Sequence, residues 1–262
     1  MKNLSSFDLQ KLNSMTKYPS ILTYHELGDK GMLQESLCEN KGFDENEEVY
    51  IHEKVDGTNG RAIIYNGDYM IGSREDILYA KGDRIVNSTL GIVDTLRPFT
   101  DKLCLDLISE DHMYIIFSEV YGGNVTKASK QYTNSKTWSF RLFDVCVIKP
   151  EVIKKVMNMN RDKIASWRDN GGQLFIPEYD LNNFANMYEV KRVPFLTIVN
   201  GIDVPVNLSK TYEFLSYFEN SKAIIDSELG KSEGIVVRNK DRSMIRKIRF
   251  DDYEKTKKRS GF

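Results

Sequence analysis

The sequence predicts an α+β fold on three observations. Strand-like alternation is concentrated at 47–73 and again at 232–250, and in both places turn residues join neighbouring runs into antiparallel pairs. Helical spacing occurs apart from them, at 84–96, 150–170 and 209–220. With 262 residues, 40% of them hydrophobic, the chain has apolar material for one large domain or two small ones.

Residues 1–45, which include Lys17-Tyr18-Pro19-Ser20-Ile21, read as an irregular lead-in with at most a short helix near 32–38. At 47–54 Val49 and Ile51 alternate with Tyr50 and His52, so this strand delivers Lys54 to the turn Asp56-Gly57-Thr58-Asn59, where Gly accepts positive φ and Asp and Asn bond their own backbone. A second strand over 61–65, the hairpin residues Asn66-Gly67 and a third strand over 69–73 complete a meander that ends at Ser73-Arg74. Ile85, Ser88, Thr89, Ile92, Val93 and Leu96 share one side of a helix over 84–96, with Pro98 as its stop and a short second helix at 102–109.

The run 113–120 carries Glu119 to the turn Tyr121-Gly122-Gly123. A long strand over 137–148 holds Asp144 among aromatics, and an acid buried there needs a partner. Pro150 opens a helix to about Asn170, stopped by Gly171-Gly172. Residues 174–200 read as short strands around a helix near 182–188, and 209–220 is amphipathic with Tyr212, Leu215, Tyr217 and Phe218 on its buried side. In the closing strand pair, 232–238 and 244–250, Lys247 and Arg249 point the same way. Ile245, Ile248 and Phe250 cannot all occupy the opposite face, so a twist or strand end is implied. A short basic helix over 251–259 follows.

No apolar run approaches the roughly eighteen residues of a membrane span. The first six residues lack the apolar segment of a secretory signal, which makes the cytoplasm the expected address. Cys38, Cys104 and Cys146, odd in number and far apart, read as reduced core residues, neither a disulfide framework nor a metal cluster. The net charge of −1 hides an asymmetry: from Arg238 onward ten Lys and Arg stand against four acids.

A lysine withdrawn from solvent beside other cations loses its proton more readily, and a neutral amine is a nucleophile. Lys54, the strand-end carboxylates Glu119 and Glu233, and the cations Lys247 and Arg249 together suit attack on the α-phosphate of a nucleoside triphosphate. The amine displaces pyrophosphate, the cations neutralise charge building on phosphate oxygens, and the carboxylates hold a divalent ion such as Mg²⁺ with several of its waters.

These residues carry a family resemblance. Glu53-Lys54-Val55-Asp56-Gly57-Thr58-Asn59 resembles motif I of the covalent nucleotidyltransferases, the ATP-dependent DNA and RNA ligases and mRNA capping enzymes. Phe117-Ser118-Glu119 is similar to motif III, Leu142-Phe143-Asp144-Val145 to motif IIIa, Glu233-Gly234-Ile235-Val236-Val237-Arg238 to motif IV and Lys247-Ile248-Arg249 to motif V, in the family's order. Gly57-Thr58-Asn59 and the Tyr-Gly-Gly turn after Glu119 are most similar to the RNA ligase 2 group. The resemblance implies an ATP-grasp-like adenylation domain of two packed antiparallel sheets flanked by helices, with the ATP pocket between the sheets.

It also implies roles. Lys54 would form the lysyl-AMP phosphoramide, Glu53 would help recognise adenine, Asn59 and Arg74 would act on the phosphate or the polynucleotide end, and Glu119 would contact the ribose. Phe143 would stack on adenine, Asp144 would orient its neighbours, Glu233 and Glu119 would support Mg²⁺ or Mn²⁺, and Lys247, with Arg249, would contact the α-phosphate. Arg74 and the basic stretch Lys255, Lys257, Lys258 and Arg259 would meet the nucleic-acid backbone. Arg238 and Arg249 stand where lysine is usual and replace a compact ammonium by a planar fork.

The implied activity is ATP-dependent joining of 5′-phosphate and 3′-hydroxyl RNA ends. Its rivals are a small DNA nick-sealing ligase, a GTP-using capping enzyme and a non-catalytic RNA-binding scaffold. The chain is expected to be a single domain over 1–262 without the OB-fold or helical domain that follows motif V in relatives, its place taken by a separate nucleic-acid-binding protein.

Overall fold

The computed structural model describes residues 3–85, 91–107, 112–226 and 230–260. The first 45 residues hold more regular structure than an irregular lead-in. Helix α1 (Leu9–Thr16) is capped by Asp8, which accepts from the backbone N–H groups of Gln10 and Lys11, and it buries Leu12 and Met15. Strands β1 (Leu22–Thr23), β2 (His25–Leu27) and β3 (Leu33–Leu37) follow. The helix expected near 32–38 is therefore β3; pairing with β2 and burial of Leu33 override its weak helical pattern.

The three strands β4 (Glu48–Lys54), β5 (Thr58–Tyr65) and β6 (Asp68–Ser73) form, but not as one meander. β4 pairs with the later strands Gly234–Asn239 and Phe195–Asn200 in one sheet, and the chain crosses after Lys54 to the other, where β5 and β6 make the expected hairpin with Asn66 and Gly67 at φ 50° and 73°. Strands β7 (Ile77–Ala80) and β8 (Asp83–Arg84) extend it. Arg84 thus belongs to a strand, and residues 86–90 of the expected 84–96 helix lie outside the described residues. Helix α2 (Ile92–Asp106) runs through Pro98 and absorbs the start of the second helix expected at 102–109, whose last two residues are also outside the described set. A proline inside a helix costs about 3 kcal/mol. The face of Ile92, Val93, Leu96, Leu103 and Cys104 is buried on both sides of it, at roughly 1.5–3 kcal/mol for each large apolar side chain.

Strands β9 (Met113–Gly122) and β10 (Trp138–Ile148) come next, then α3 (Pro150–Met157) and α4 (Arg161–Trp167). The single helix expected over 150–170 is broken because Asn160 caps a new one, accepting from the Lys163 N–H. Helix α5 (Glu178–Met187), strand β11 (Phe195–Asn200) and helix α6 (Leu208–Ser216) precede the strand pair β12 (Gly234–Asn239) and β13 (Ile245–Arg249). Arg249 ends β13 and Phe250 begins α7 (Phe250–Ser260), which is the strand end implied by the sequence.

Of the three sheets among the described residues, one has the order β1-β13-β12-β4-β11, a second β10-β9-β5-β6-β7-β8, and β2 and β3 form a two-stranded third. Pairing is antiparallel except between β1 and β13. The five-stranded sheet buries Val49, Ile51, Ile235, Val237 and Ile248 against α7 residue Tyr253. Its opposite face carries His52, Lys54, Arg238, Lys247 and Arg249 into a cavity that β5, β9 and β10 of the other sheet also line. Among the described residues, no helix is long and apolar enough to cross a membrane.

Candidate active site

Lys54, the last residue of β4, lies opposite Gly234 of β12. The Glu233 N–H donates to the Lys54 carbonyl at 3.2 Å, and the Lys54 ammonium in turn donates to the Glu233 carboxylate. Gly234 is required at this crossing: a Cβ there would lie 2.1 Å from the Ile248 carbonyl oxygen, and its φ of +153° disfavours other residues. Arg249, across the ladder from Gly234, reaches Glu233 at 3.7 Å and grips Asp252 through Nε and Nη2, both at 2.8 Å. Lys247 shares this face, and burial, then the charges of Arg249 and Lys54, lower its pKa from the ordinary lysine range.

The opposite wall comes from the larger sheet. Glu119 of β9 and Asn59 of β5 are paired directly across the ladder. Burial pushes the Glu119 carboxyl up to about 7; Lys54 opposes that shift, and the nearby charges of Glu233 and Asp56 add to it. Asn59 Oδ1 is buried without a hydrogen-bond partner among the described residues. Arg74 stands at the mouth, its Nη2 3.4 Å from Ser20 Oγ. Phe143 owes its position to a bulge: the β9–β10 register slips between Leu142 and Asp144, which leaves Phe143 outside the ladder and on the cavity lining, while Asp144 is buried behind it. The Phe143 ring packs edge-on against Tyr18 at 5.0 Å. The cavity measures about 470 Å³.

Behind Phe143 the charges are buried and paired. Asp144 accepts from Tyr18 Oη at 2.8 Å and from Arg242, and Arg238 lies 3.5 Å from Asp144 and 3.4 Å from Glu178. Glu178 also binds His52 at 3.1 Å and Arg192 at 2.6 Å. Burial works against the Glu178 charge, but these hydrogen bonds hold its carboxyl well below the ordinary range. Arg238 is therefore a buried link between β12, β10 and α5, a geometry that a planar fork fits.

Among known proteins, the family model for RNA ligase matches residues 47–256. The chain belongs to the RNA ligase family. Its fold is similar to solved structures of the Naegleria gruberi RNA ligase, including a mutant with ATP and Mn (TM-score 0.54, 14% identity, 92% of this chain and 62% of that one). A complex with PPi gives a TM-score of 0.52 at 15% identity, covering 92% and 64%, and an apo mutant gives 0.53 at 13%, covering 83% and 53%. The chain thus spans between about half and two thirds of the length of those ligase chains. No curated protein matches the sequence.

In this RNA ligase family member the cavity brings together Lys54, Asn59, Arg74, Glu119, Phe143, Glu233, Lys247 and Arg249. Glu53 lines the cavity as well, but its carboxylate departs from the expected place. Strand alternation turns its carboxylate to the face opposite Lys54, where Ser221 Oγ and the Lys222 N–H (2.7 Å) donate to it. The basic stretch in α7 departs too, because Phe250 and Tyr253 bind that helix to the core face of the five-stranded sheet, away from Lys54. Lys255 donates to the Lys30 carbonyl at 2.6 Å and Lys257 lies 4.9 Å from the Tyr212 ring centre, while Lys258 and Arg259 are exposed.

Sequence reasoning passed over several residues of the cavity and its support. His52 had a signal, since it stands two residues before Lys54 and shares its face. Asp252 had one as well, an acid three residues after Arg249 in the first turn of a helix. Tyr18, Glu178, Arg192 and Arg242 had none, because each arrives from a distant part of the chain.

Proposed function

We propose that this chain is an ATP-dependent RNA ligase that joins 5′-phosphate and 3′-hydroxyl ends. The observation that carries the reading is the Lys54–Glu233 pair on a cavity floor flanked by Lys247, Arg249 and Arg74. In the first step the Lys54 ammonium releases one proton to solvent, the neutral Nζ attacks the α-phosphorus of ATP, a P–N bond forms, the P–O bond to pyrophosphate breaks, and Glu233, already bonded to Nζ, receives the second proton. Lys247 and Arg249 face the charge that builds on the phosphate oxygens. The RNA 5′-phosphate then attacks the same phosphorus, the P–N bond breaks, and Lys54 leaves as the amine, taking back the proton held by Glu233. Finally the 3′-hydroxyl attacks the activated 5′-phosphate and releases AMP.

A divalent ion fits this donor set. Glu119 and Glu233 are close enough for the charge of one to raise the pKa of the other, a repulsion that a cation relieves. Among the described residues no group of three or more His, Cys, Asp or Glu side chains could cage a metal. Two carboxylates with phosphate oxygens and waters match Mg²⁺ or Mn²⁺, which would supply Lewis-acid neutralisation of phosphate charge. The Naegleria ligase structures with ATP and Mn support the use of ATP with a divalent ion. Phe143 is the proposed adenine platform, and the cytoplasm the proposed compartment, where Cys38, Cys104 and Cys146 stay free.

The test is incubation with α-labelled ATP and Mg²⁺ beside a Lys54→Ala variant, followed by denaturing electrophoresis. Covalent label on the wild type alone supports the reading, and no label on either, with ATP or GTP, overturns it. Competition among nicked RNA, nicked DNA and single-stranded RNA then identifies the polynucleotide.

A further inference from the structure

A second cleft adjoins the first. It measures about 510 Å³, lies between α1, α4 and the turn after β6, and shares Tyr18, Pro19, Ser20 and Arg74 with the cavity that holds Lys54. Its lining carries the cations Lys17, Arg74, Arg161 and Arg168 against the carboxylates Glu75 and Asp169. Lys17 pairs with Glu75 at 2.7 Å, and Arg168 grips Asp169 at 2.8 and 2.9 Å. Arg161 instead donates to the neutral Gln10 amide at 3.0 Å and, among the described residues, has no ion-pair partner.

Beneath the floor lies Arg61, fully buried. Its Nη1 donates to the Arg74 carbonyl at 3.2 Å and its Nη2 to Asn13 of α1, so this one guanidinium fixes both walls. No carboxylate ion-pairs with it among the described residues, and its Nε has no hydrogen-bond partner there. Burial lowers its pKa to about 9, which leaves it charged at neutral pH. The charges of Glu75 and Asp76 offset that burial only in part and Arg168 works against them, and a buried cation without a direct ion pair is costly. A polyanion lying along the cleft would add to that counter-charge, and Arg74 sits at the junction through which such a chain reaches Lys54.

We propose that this cleft binds the sugar-phosphate backbone of the RNA strand whose end enters the Lys54 cavity, with Arg161 and Lys17 as phosphate contacts and Arg61 as the buried charge beneath them. The inference rests on the ligase reading for the identity of the polynucleotide. It transfers the nucleic-acid role from α7 to the opposite side of the five-stranded sheet.

The experiment uses the full chain and the variants Arg161→Glu, Lys17→Ala and Arg161→Lys. Arg161 and Lys17 line only the second cleft. Covalent labelling by ATP, which needs no RNA, serves as the folding control and should be unchanged in all three. Binding of a 5′-phosphorylated RNA oligonucleotide, measured by fluorescence anisotropy across a salt series, should weaken about tenfold or more in Arg161→Glu and recover in Arg161→Lys. The slope of log affinity against log salt should fall by about 0.7 for each phosphate contact removed from a single strand. Unchanged affinity and slope in both charge-removing variants overturn the cleft. A wild type that binds RNA but takes no label overturns the ligase reading alone, and the salt series still decides the cleft.

Discussion

Arg249 and Asp252 are locked together by two hydrogen bonds of 2.8 Å, and this fork aims the remaining guanidinium nitrogen at Glu233, 3.7 Å away. The cation that stands where the motif usually has lysine is thus held by the first turn of α7. Asp252→Ala should lower the rate of covalent AMP uptake by roughly 10–100-fold, as loss of a charged hydrogen bond worth about 1.5–3 kcal/mol predicts. Single-turnover labelling at saturating and limiting ATP checks it, and an unchanged rate would mean that Arg249 does not need the fork.

Among the described residues, Lys247 faces the same space without such an anchor. Lys247→Ala should reduce covalent uptake by about 10²–10³-fold, the usual cost of removing one preorganised group that stabilises transition-state charge. Lys247→Arg should recover only part, because the fork differs in reach and geometry.

Glu119 carries the pH dependence. Its folded-state pKa of about 7 lies above the ordinary carboxylate range, so the folded protein holds this proton more tightly than the unfolded chain. The resulting stability is full at low pH and is lost as pH rises from the ordinary range through about 7. Glu119→Gln removes that loss, so the stability of the variant relative to wild type should rise over this window. Urea melts of the ligand-free protein between about pH 5 and 8 measure it, and a constant difference would contradict the raised pKa.

Asp144 holds Arg238, Arg242 and Tyr18 in the buried layer behind Phe143. Asp144→Ala leaves two guanidinium groups short of a carboxylate and should cost about 3–5 kcal/mol. Thermal melts should show a fall on the order of 10 °C.

Gly234→Ala tests the close crossing of β12 and β13. The added Cβ would meet the Ile248 carbonyl at 2.1 Å, so the strands must part where Glu233 meets Lys54. Covalent labelling should drop more than stability does. A variant that labels at the wild-type rate would show that this crossing does not control the pair.

The sequence by itself determined the strand that carries Lys54, the hairpin at Asn66-Gly67 and the shared face of Lys247 and Arg249; of the turn expected at 56–59, Thr58 and Asn59 instead open β5, and Gly57 serves close approach to the Val120 carbonyl rather than positive φ. Alternation and turn chemistry are local, so they are legible without neighbours. It also required a partner for Asp144, since a buried acid cannot remain unpaired. Only the tertiary structure decided which partners those are. Tyr18 and Arg242 lie 126 and 98 residues from Asp144 along the chain, and no spacing rule reaches that far. The same holds for the direction of Glu53 and the site of the α7 cations. Neighbouring strand residues such as Glu53 and Lys54 face opposite ways, but which face is buried against Ser221 and which opens on the cavity depended on how the two sheets and α7 pack. The second cleft has the same origin, because α1, α4 and the Arg74 turn share no sequence pattern and meet only where Arg61 joins Asn13 to the Arg74 carbonyl.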